Sequence, residues 1–202
     1  MTVLLNRDAW EKRYEEGDTP WNLSSPTPEF QLLLDEKKLF QEKMEVLVPG
    51  AGHGHDAIAL AKAGMQVTAV DIATQALDSL LASAFSEKTT VQCFRENFFD
   101  LPNQGYHQER YDRILEYTFF CAIAPNLRAA YVESAVKLLK PKGAIIGLFF
   151  PTDGRSDGPP FAVTRKEVEA LFSPHFVLEI SEPRRSVKPR MGKEFLGIFY
   201  KR

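Results

Sequence analysis

The stretch Val46-Leu-Val-Pro-Gly50-Ala-Gly52-His-Gly54-His-Asp56 constrains the fold more than any other. A short apolar run stops at a proline and a glycine cluster. A helical pattern starts at once through Ala57, Ile58, Leu60 and Ala61. A second apolar run, from Val67 to Val70, then ends on Asp71. Strand, glycine turn, helix and a strand closing on an acid are the parts with which open parallel sheets bind nucleotides at the carboxyl ends of their strands. Glycine tolerates positive φ and has no Cβ, so backbone can approach a ligand closely. The helix N-terminus that follows offers unpaired amides and partial positive charge. An aspartate at the strand tip can accept both hydroxyls of a ribose. The competing account is a plain tight turn, and the spacing of the acid favours the nucleotide.

A dinucleotide fingerprint needs its third glycine three places after the second. Here that place holds His55, and the third glycine comes early, at Gly54. This G-x-G-x-G spacing resembles the first motif of S-adenosylmethionine-dependent methyltransferases, whose cofactor has no phosphate. His53 and His55 sit two apart in the turn, but no acid or cysteine cluster joins them in sequence, so no metal is expected.

With 202 residues, 44% of them hydrophobic, the chain can bury one sizeable core, and a single domain, 1–202, is expected. A formal net charge of -2 gives no bulk attraction to nucleic acid or to an anionic membrane surface. No apolar stretch approaches the roughly 20 residues of a membrane span. The leading residues turn polar too soon for a secretory signal. Cys93 and Cys121 lie far apart, which suits a reducing compartment. The expectation is a cytoplasmic monomer with no nucleic-acid or membrane partner.

The first 40 residues form an aromatic helical segment, with Trp10, Tyr14, Trp21 and Phe30. Asp8 is placed to cap a short helix with Trp10 and Tyr14 on one face. A second helix is expected from about residue 28 to 40. Strands are expected near 45–48, 67–70, 90–94, 111–116, 144–149, 176–181 and 194–200, with helices near 56–63, 74–85, 126–139 and 164–172. Thr164-Arg-Lys-Glu167 is a capping-box signature, and Lys140-Pro-Lys-Gly143 reads as the turn ending the preceding helix. Alternating strands and helices predict a doubly wound, Rossmann-like parallel α/β sheet. The last two strands have no helix between them, which predicts an antiparallel pairing.

Further motifs run nearly end to end: Gly17-x-Thr-x-Trp21 and Pro26-x-Pro28, then Asn97-Phe-Phe, then Glu116-Tyr-Thr-Phe-Phe-Cys-Ala-Ile-Ala-Pro125 with Arg128. Leu138-Leu-Lys-Pro141, Pro151, Gly158-Pro-Pro160 and Arg190-x-Gly-x-Glu194 follow. Together with the glycine turn they make the chain resemble the thiopurine S-methyltransferase family, and within it the thiol and halide methyltransferase branch. The resemblance implies a seven-stranded sheet of order 3-2-1-4-5-7-6 with only the last strand antiparallel. It implies S-adenosyl-L-methionine as cofactor, held by Trp10, Tyr14, Trp21, Gly50, Gly52, Asp71, Asn97, Phe98 and Tyr117. The chain departs from the family in Glu116 and Asn97, where aspartate is usual, and in Tyr14, where the plant branch has tryptophan. Asn97 can still accept a hydrogen bond from an adenine amine.

Roles follow from these placements. A sulfonium is a cation, and the aromatic segment offers it π-faces as a lid; the alternative is that these rings anchor a surface helix. Tyr117 sits just past the fourth strand, where methyl and nucleophile ought to meet, or it simply packs there. Arg128 is the candidate contact for an anionic substrate, on the first turn of its helix; the alternative is a solvated surface arginine. Cys121 reads as a small buried hydrophobe. Arg184, Arg185, Lys188 and Arg190 lack interleaved aromatics and read as a solvated hairpin loop. No general base stands out. The expected acceptor is therefore a small thiol or soft anion, such as a thiol, hydrosulfide, halide or thiocyanate, with a thiopurine-type aromatic thiol as alternative. A nicotinamide oxidoreductase and a non-catalytic cofactor sensor are the readings from other classes.

Overall fold

The computed structural model describes residues 6–202; residues 1–5 of the N-terminal segment lie outside the described residues. Seven strands form one sheet in the order β3-β2-β1-β4-β5-β7-β6. The chain divides into two compact units, one running through Phe98 and the other from Phe99 to the end.

The first unit holds α1 (Arg7–Glu15), α2 (Pro28–Glu36), β1 (Glu45–Pro49), α3 (His55–Lys62), β2 (Gln66–Asp71), α4 (Thr74–Ser86) and β3 (Gln92–Arg95). β1 pairs with β2 and β2 with β3, both parallel. Their residues are apolar on both faces because helices cover the sheet: Val46, Leu47, Val67, Ala69 and Val70 are all buried. Two expectations shift by a few residues. The cap of α1 is Asn6, whose side chain accepts from the Ala9 amide at 3.0 Å, and Asp8 falls in the first turn, where its charge suits the helix dipole. α2 stops at Glu36 because Lys37 takes a left-handed conformation, so Phe40 is buried beyond the helix.

The second unit holds β4 (Tyr111–Tyr117), α5 (Arg128–Leu138), β5 (Leu139–Phe149), α6 (Arg165–Phe172), β6 (Phe176–Ser181) and β7 (Phe195–Lys201). Here β4 and β5 are parallel, and β7 runs antiparallel to both β5 and β6. Residues 139–143 join β5 instead of forming a free turn: Leu139 pairs with Tyr111, and the register shifts before Arg113 meets Ala144. The core of this unit is aromatic. Phe120, Tyr131, Phe149, Phe172, Phe195 and Phe199 form a chain of ring contacts with centroids 4.9–5.9 Å apart. Such pairs add about 0.5–1.5 kcal/mol each beyond their area burial. This stacking holds the ends of β4 and β5 in place. Among the described residues no helix is long and apolar enough to cross a membrane.

Candidate active site

In the first unit the glycine turn takes the shape its residues require. Gly50, Gly52 and Gly54 have φ of 57°, 55° and 76°, a region that side-chain-bearing residues rarely adopt. The turn closes through Ala51 N to Val70 O at 3.2 Å and Gly54 N to Ala51 O at 2.9 Å. Asp71, at the tip of β2, accepts from the Gly52 amide at 3.0 Å and from the Ala73 amide at 2.9 Å. Burial raises its carboxyl above the usual range, while the amides of Ala73, Gly52 and Ile72 work in the other direction. A carboxylate has about four lone-pair sites, so these bonds orient Asp71 and still leave acceptor capacity for hydroxyls.

The aromatic segment lies across this turn. The Tyr14 hydroxyl is 3.2 Å from where a Cβ on Gly52 would stand, a tight contact that adds to the preference for glycine set by the positive φ. Burial pushes the Tyr14 phenol well up, and the charge of Asp71 adds to the effect. Trp21 meets Trp10 and Tyr14 edge-on at 5.4 and 5.6 Å, and Tyr14 meets His53 at 5.4 Å. One cation already stands on these faces: the Arg13 guanidinium is 4.5 Å from the Trp21 centroid and 5.5 Å from that of Trp10. Asp18 pairs with it at 2.8 Å.

Polar side chains far apart in sequence tie the segment down. Glu11 accepts from the amides of Thr74 at 2.6 Å and Gln75 at 3.3 Å. It thereby caps α4, whose own N-cap, Ala73, has no side chain to do so. Burial works to raise the Glu11 carboxyl, but the bonds from Thr74 and Gln75 outweigh it and hold it below the usual range. Asp56 accepts from the backbone and hydroxyl of Thr27 at 2.7 and 2.8 Å, and His55 bonds Asn22 at 3.0 Å. His53 bonds Ser79 at 2.9 Å. Burial holds both imidazoles below their usual range. Among the described residues no three histidine, cysteine or acidic side chains gather as a metal site. Asn97 follows β3 and is exposed, and Phe98 beside it is buried.

In the second unit β4 ends at Tyr117, and the chain turns sharply at Thr118, with φ of 64°. Glu116 shapes that turn from beneath. One carboxyl oxygen accepts from the amides of Phe119 at 3.1 Å and Phe120 at 2.8 Å; the other takes the Tyr131 hydroxyl at 3.0 Å. Burial pushes Glu116 up to about 7 in spite of these donors. Cys121 is buried too, and its thiol is pushed up to about 12, first by burial and then by the Glu116 charge. It donates to Thr118 O at 3.3 Å, as a small core residue would.

Arg128 and Arg190 are both buried, which neither expectation foresaw. Arg128 is 2% exposed and binds both oxygens of Glu167, at 2.7 and 2.8 Å. It also donates to the carbonyls of Ala162 and Phe161, at 3.0 and 3.3 Å, and its guanidinium lies 5.0 Å from the Phe120 centroid. It is neither a solvated surface arginine nor a cation turned toward a ligand; it fastens α5 to α6 and to the loop before it. Glu167 serves that bond and not the reciprocal half of the capping box, of which only Thr164 Oγ1 to the Glu167 amide, 3.1 Å, is formed. Arg190, read as part of a solvated loop, is 6% exposed. Its guanidinium is 4.6 Å from the Tyr117 centroid and 5.0 Å from that of Phe150, and this stacking takes it out of solvent. Arg184, Arg185 and Lys188 remain exposed.

The sequence profile of the thiopurine S-methyltransferase family matches residues 5–201. The chain belongs to that family. This methyltransferase is 36% identical to "Probable thiol methyltransferase 2" of Arabidopsis thaliana over 95% of its length and 84% of that protein. It is likewise 36% identical to thiocyanate methyltransferase 1 of Brassica oleracea, over all of its own length and 88% of the relative's. Among solved structures it superposes on the Burkholderia thailandensis 1,6-didemethyltoxoflavin-N1-methyltransferase with a TM-score of 0.76, at 22% identity, covering 97% of this chain and 86% of that one. At that identity the likeness speaks for the fold. Membership of the family makes the protein an S-adenosylmethionine-dependent methyltransferase. The cradle around Gly52 and Asp71 suits that cofactor: it has a desolvated acid for hydroxyls and backbone that no Cβ obstructs.

Proposed function

We propose that this methyltransferase alkylates small thiols and soft anions, with hydrosulfide, short thiols, thiocyanate and halides as the acceptor class. The observation that carries this reading is the state of the acids and thiols behind Tyr117. Glu116 is engaged by two amides and a phenol, and Cys121 is held protonated by burial, so neither is placed as a general base. An acceptor must then arrive ionised or ionise readily, as a thiol near pKa 8.5 does. The thiol and thiocyanate methyltransferases named above support the same class.

When bound, S-adenosylmethionine supplies a methyl carbon made electrophilic by a cationic sulfur, which leaves with the bonding pair as a neutral thioether. The chain's own residues bind and orient. Asp71 takes the ribose hydroxyls, Asn97 and the backbone of Phe98 read the adenine, and Gly50 and Gly52 admit the methionine end. Trp10, Tyr14 and Trp21 close over the first unit's turn, and Tyr117 stands at the tip of β4 as a contact for the reacting end in the family's pattern. Such alignment alone is worth ~7–11 kcal/mol, which is why no triad is needed.

The test is a methyl-transfer assay over hydrosulfide, small thiols, thiocyanate, iodide and thiopurines, with amines and carboxylates alongside. Turnover of sulfur or halide acceptors is the expected result. Turnover confined to amines or carboxylates would overturn the reading, and high efficiency with thiopurines only would move it to the aromatic-thiol alternative.

A further inference from the structure

We propose that His53 is a positioning residue for the cofactor: its neutral imidazole seats Tyr14 on the glycine turn, and its protonation releases the aromatic segment. This rests on the cofactor assignment of the turn given above, and every residue it uses belongs to the first unit. His53 stands between Gly52 and Gly54 and is half-buried. Its Nδ1 lies 2.9 Å from the Ser79 hydroxyl on α4, and its ring meets that of Tyr14 at 5.4 Å with 66° between the planes. Its Nε2 is closed off from solvent and has no hydrogen-bond partner among the described residues.

A neutral imidazole satisfies Ser79 in either tautomer, because a hydroxyl can donate to Nδ1 or accept from it. An imidazolium does not fit. Both of its nitrogens carry a proton: Nδ1–H has the Ser79 oxygen, but Nε2–H and the charge are enclosed with no acceptor, which is destabilising. The groups around the ring offer no relief. α1 brings the Tyr14 phenol, α4 the Ser79 hydroxyl, and the turn itself a second imidazole, that of His55, 6.3 Å away. Asp71 acts on Tyr14 and Glu87 on His55, whereas burial alone acts on His53 and holds it below its ordinary 6.5. His55 differs in kind, since its Nε2 bonds Asn22 Oδ1, an acceptor that suits the neutral and the charged ring alike.

Lifting α1 relieves the ring. That helix has no fully buried residue, so its departure exposes little apolar surface and returns His53 to water. The Tyr14 hydroxyl, 3.2 Å from where a Cβ on Gly52 would stand, leaves with it. The lifted segment leaves His53 near its ordinary 6.5, and the seated one holds it lower. Protons therefore favour lifting as pH falls below 6.5, and seating is fully favoured above that value. The cofactor needs the seated segment, so its affinity falls on acidification, by at most about tenfold per pH unit, the limit for one proton.

The chain has two tryptophans, Trp10 and Trp21, and both lie in the segment, so their fluorescence reports its seating without any ligand. The experiment follows that emission from about pH 8 to about pH 5 in wild type, His53→Phe, His53→Gln and His55→Gln, with far-ultraviolet circular dichroism to show that the sheet stays folded. Calorimetry measures S-adenosylhomocysteine affinity over the same range. Wild-type emission is expected to shift to the red below about pH 6.5, with affinity falling over the same interval. Both variants at position 53 lack the ionising ring and should show neither change, whereas His55→Gln, which keeps a donor for Asn22, should show both. Wild-type emission or affinity that stays constant down to about pH 5 would overturn the proposal. So would a red shift that persists in a folded variant at position 53 or disappears in His55→Gln. Phenylalanine keeps a ring against Tyr14 and glutamine keeps a polar partner for Ser79, so if one variant fails to fold the other decides. A red shift in a protein that binds no S-adenosylhomocysteine at any pH would instead refute the cofactor assignment on which the proposal rests.

Discussion

Glu116 offers a test in which a buried charge is read directly as stability. Its carboxyl lies 1% exposed under the Tyr117 turn, and burial lifts it from an ordinary 4.5 to about 7. The folded protein therefore binds this proton more tightly than the unfolded chain does. Between pH 4.5 and about 7 the unfolded state loses the proton first, so the contribution of Glu116 is fully present below 4.5 and is lost as pH rises toward 7. The shift of some 2.5 pH units, at 1.36 kcal/mol each, corresponds to about 3 kcal/mol. Glu116→Gln has nothing to ionise, keeps an oxygen for the Phe119 and Phe120 amides, and offers an N–H to the Tyr131 hydroxyl. Relative to wild type, the variant should gain about 3 kcal/mol on going from pH 4.5 to pH 8, or roughly 6–12 °C in Tm for a domain of this size. The assay is urea or thermal unfolding of both proteins across that range, in which every other titrating group cancels in the difference. Parallel stability curves would refute the argument and place Glu116 in a more hydrated setting than its contacts indicate.

Further outcomes are expected elsewhere. Asp71→Ala should weaken S-adenosylhomocysteine binding by about 1–3 kcal/mol in calorimetry, as loss of an oriented polar contact does; unchanged affinity would remove Asp71 from the cofactor site. Glu11→Ala uncaps α4 and should lower unfolding free energy by about 1 kcal/mol and also weaken S-adenosylhomocysteine binding, whereas a stability loss with full affinity would uncouple α1 from the cofactor. Arg128→Ala leaves Glu167 without its cation and should destabilise by about 3 kcal/mol, the lower end for a broken buried pair because Glu167 is partly exposed. Acceptor KM should not move where that variant is folded, and a KM that rises with the fold intact would return Arg128 to the substrate.

The sheet was legible in the sequence because parallel strands buried on both faces leave uninterrupted apolar runs, and Val46–Val48 and Val67–Val70 are such runs. The start of β5 was not, because Lys140-Pro-Lys-Gly143 has turn chemistry and joins the sheet through a single pairing ahead of a register shift. The side chains that organise the site were harder to see, for a physical reason. Glu11 finds Thr74 across 63 residues, and Arg128 finds Glu167 across 39, and no local periodicity encodes either meeting. Charge misled at Arg190, since a basic residue in a polar hairpin loop ordinarily stays in water. Here the rings of Tyr117 and Phe150 stack on the guanidinium and draw it in. One signal was available: Arg190 and Glu194 belong to the same short motif as Gly192, and such a combination of opposite charges around a glycine marks a built turn.

The fastening of the aromatic segment has a kinetic consequence. α1 has no fully buried residue and is held by the carboxylate of Glu11, with Asn22 and Thr27 securing the stretch after it. Polar ties of this kind open without exposing much apolar surface, so the segment has its own opening equilibrium, well below the free energy that unfolds β1 and β2. On the cofactor assignment proposed above, exchange proceeds by peeling this segment back while the sheet stays intact. Substitution at Glu11 or Thr27 is expected to shift that opening equilibrium without any change to the acceptor chemistry, because neither belongs to the second unit.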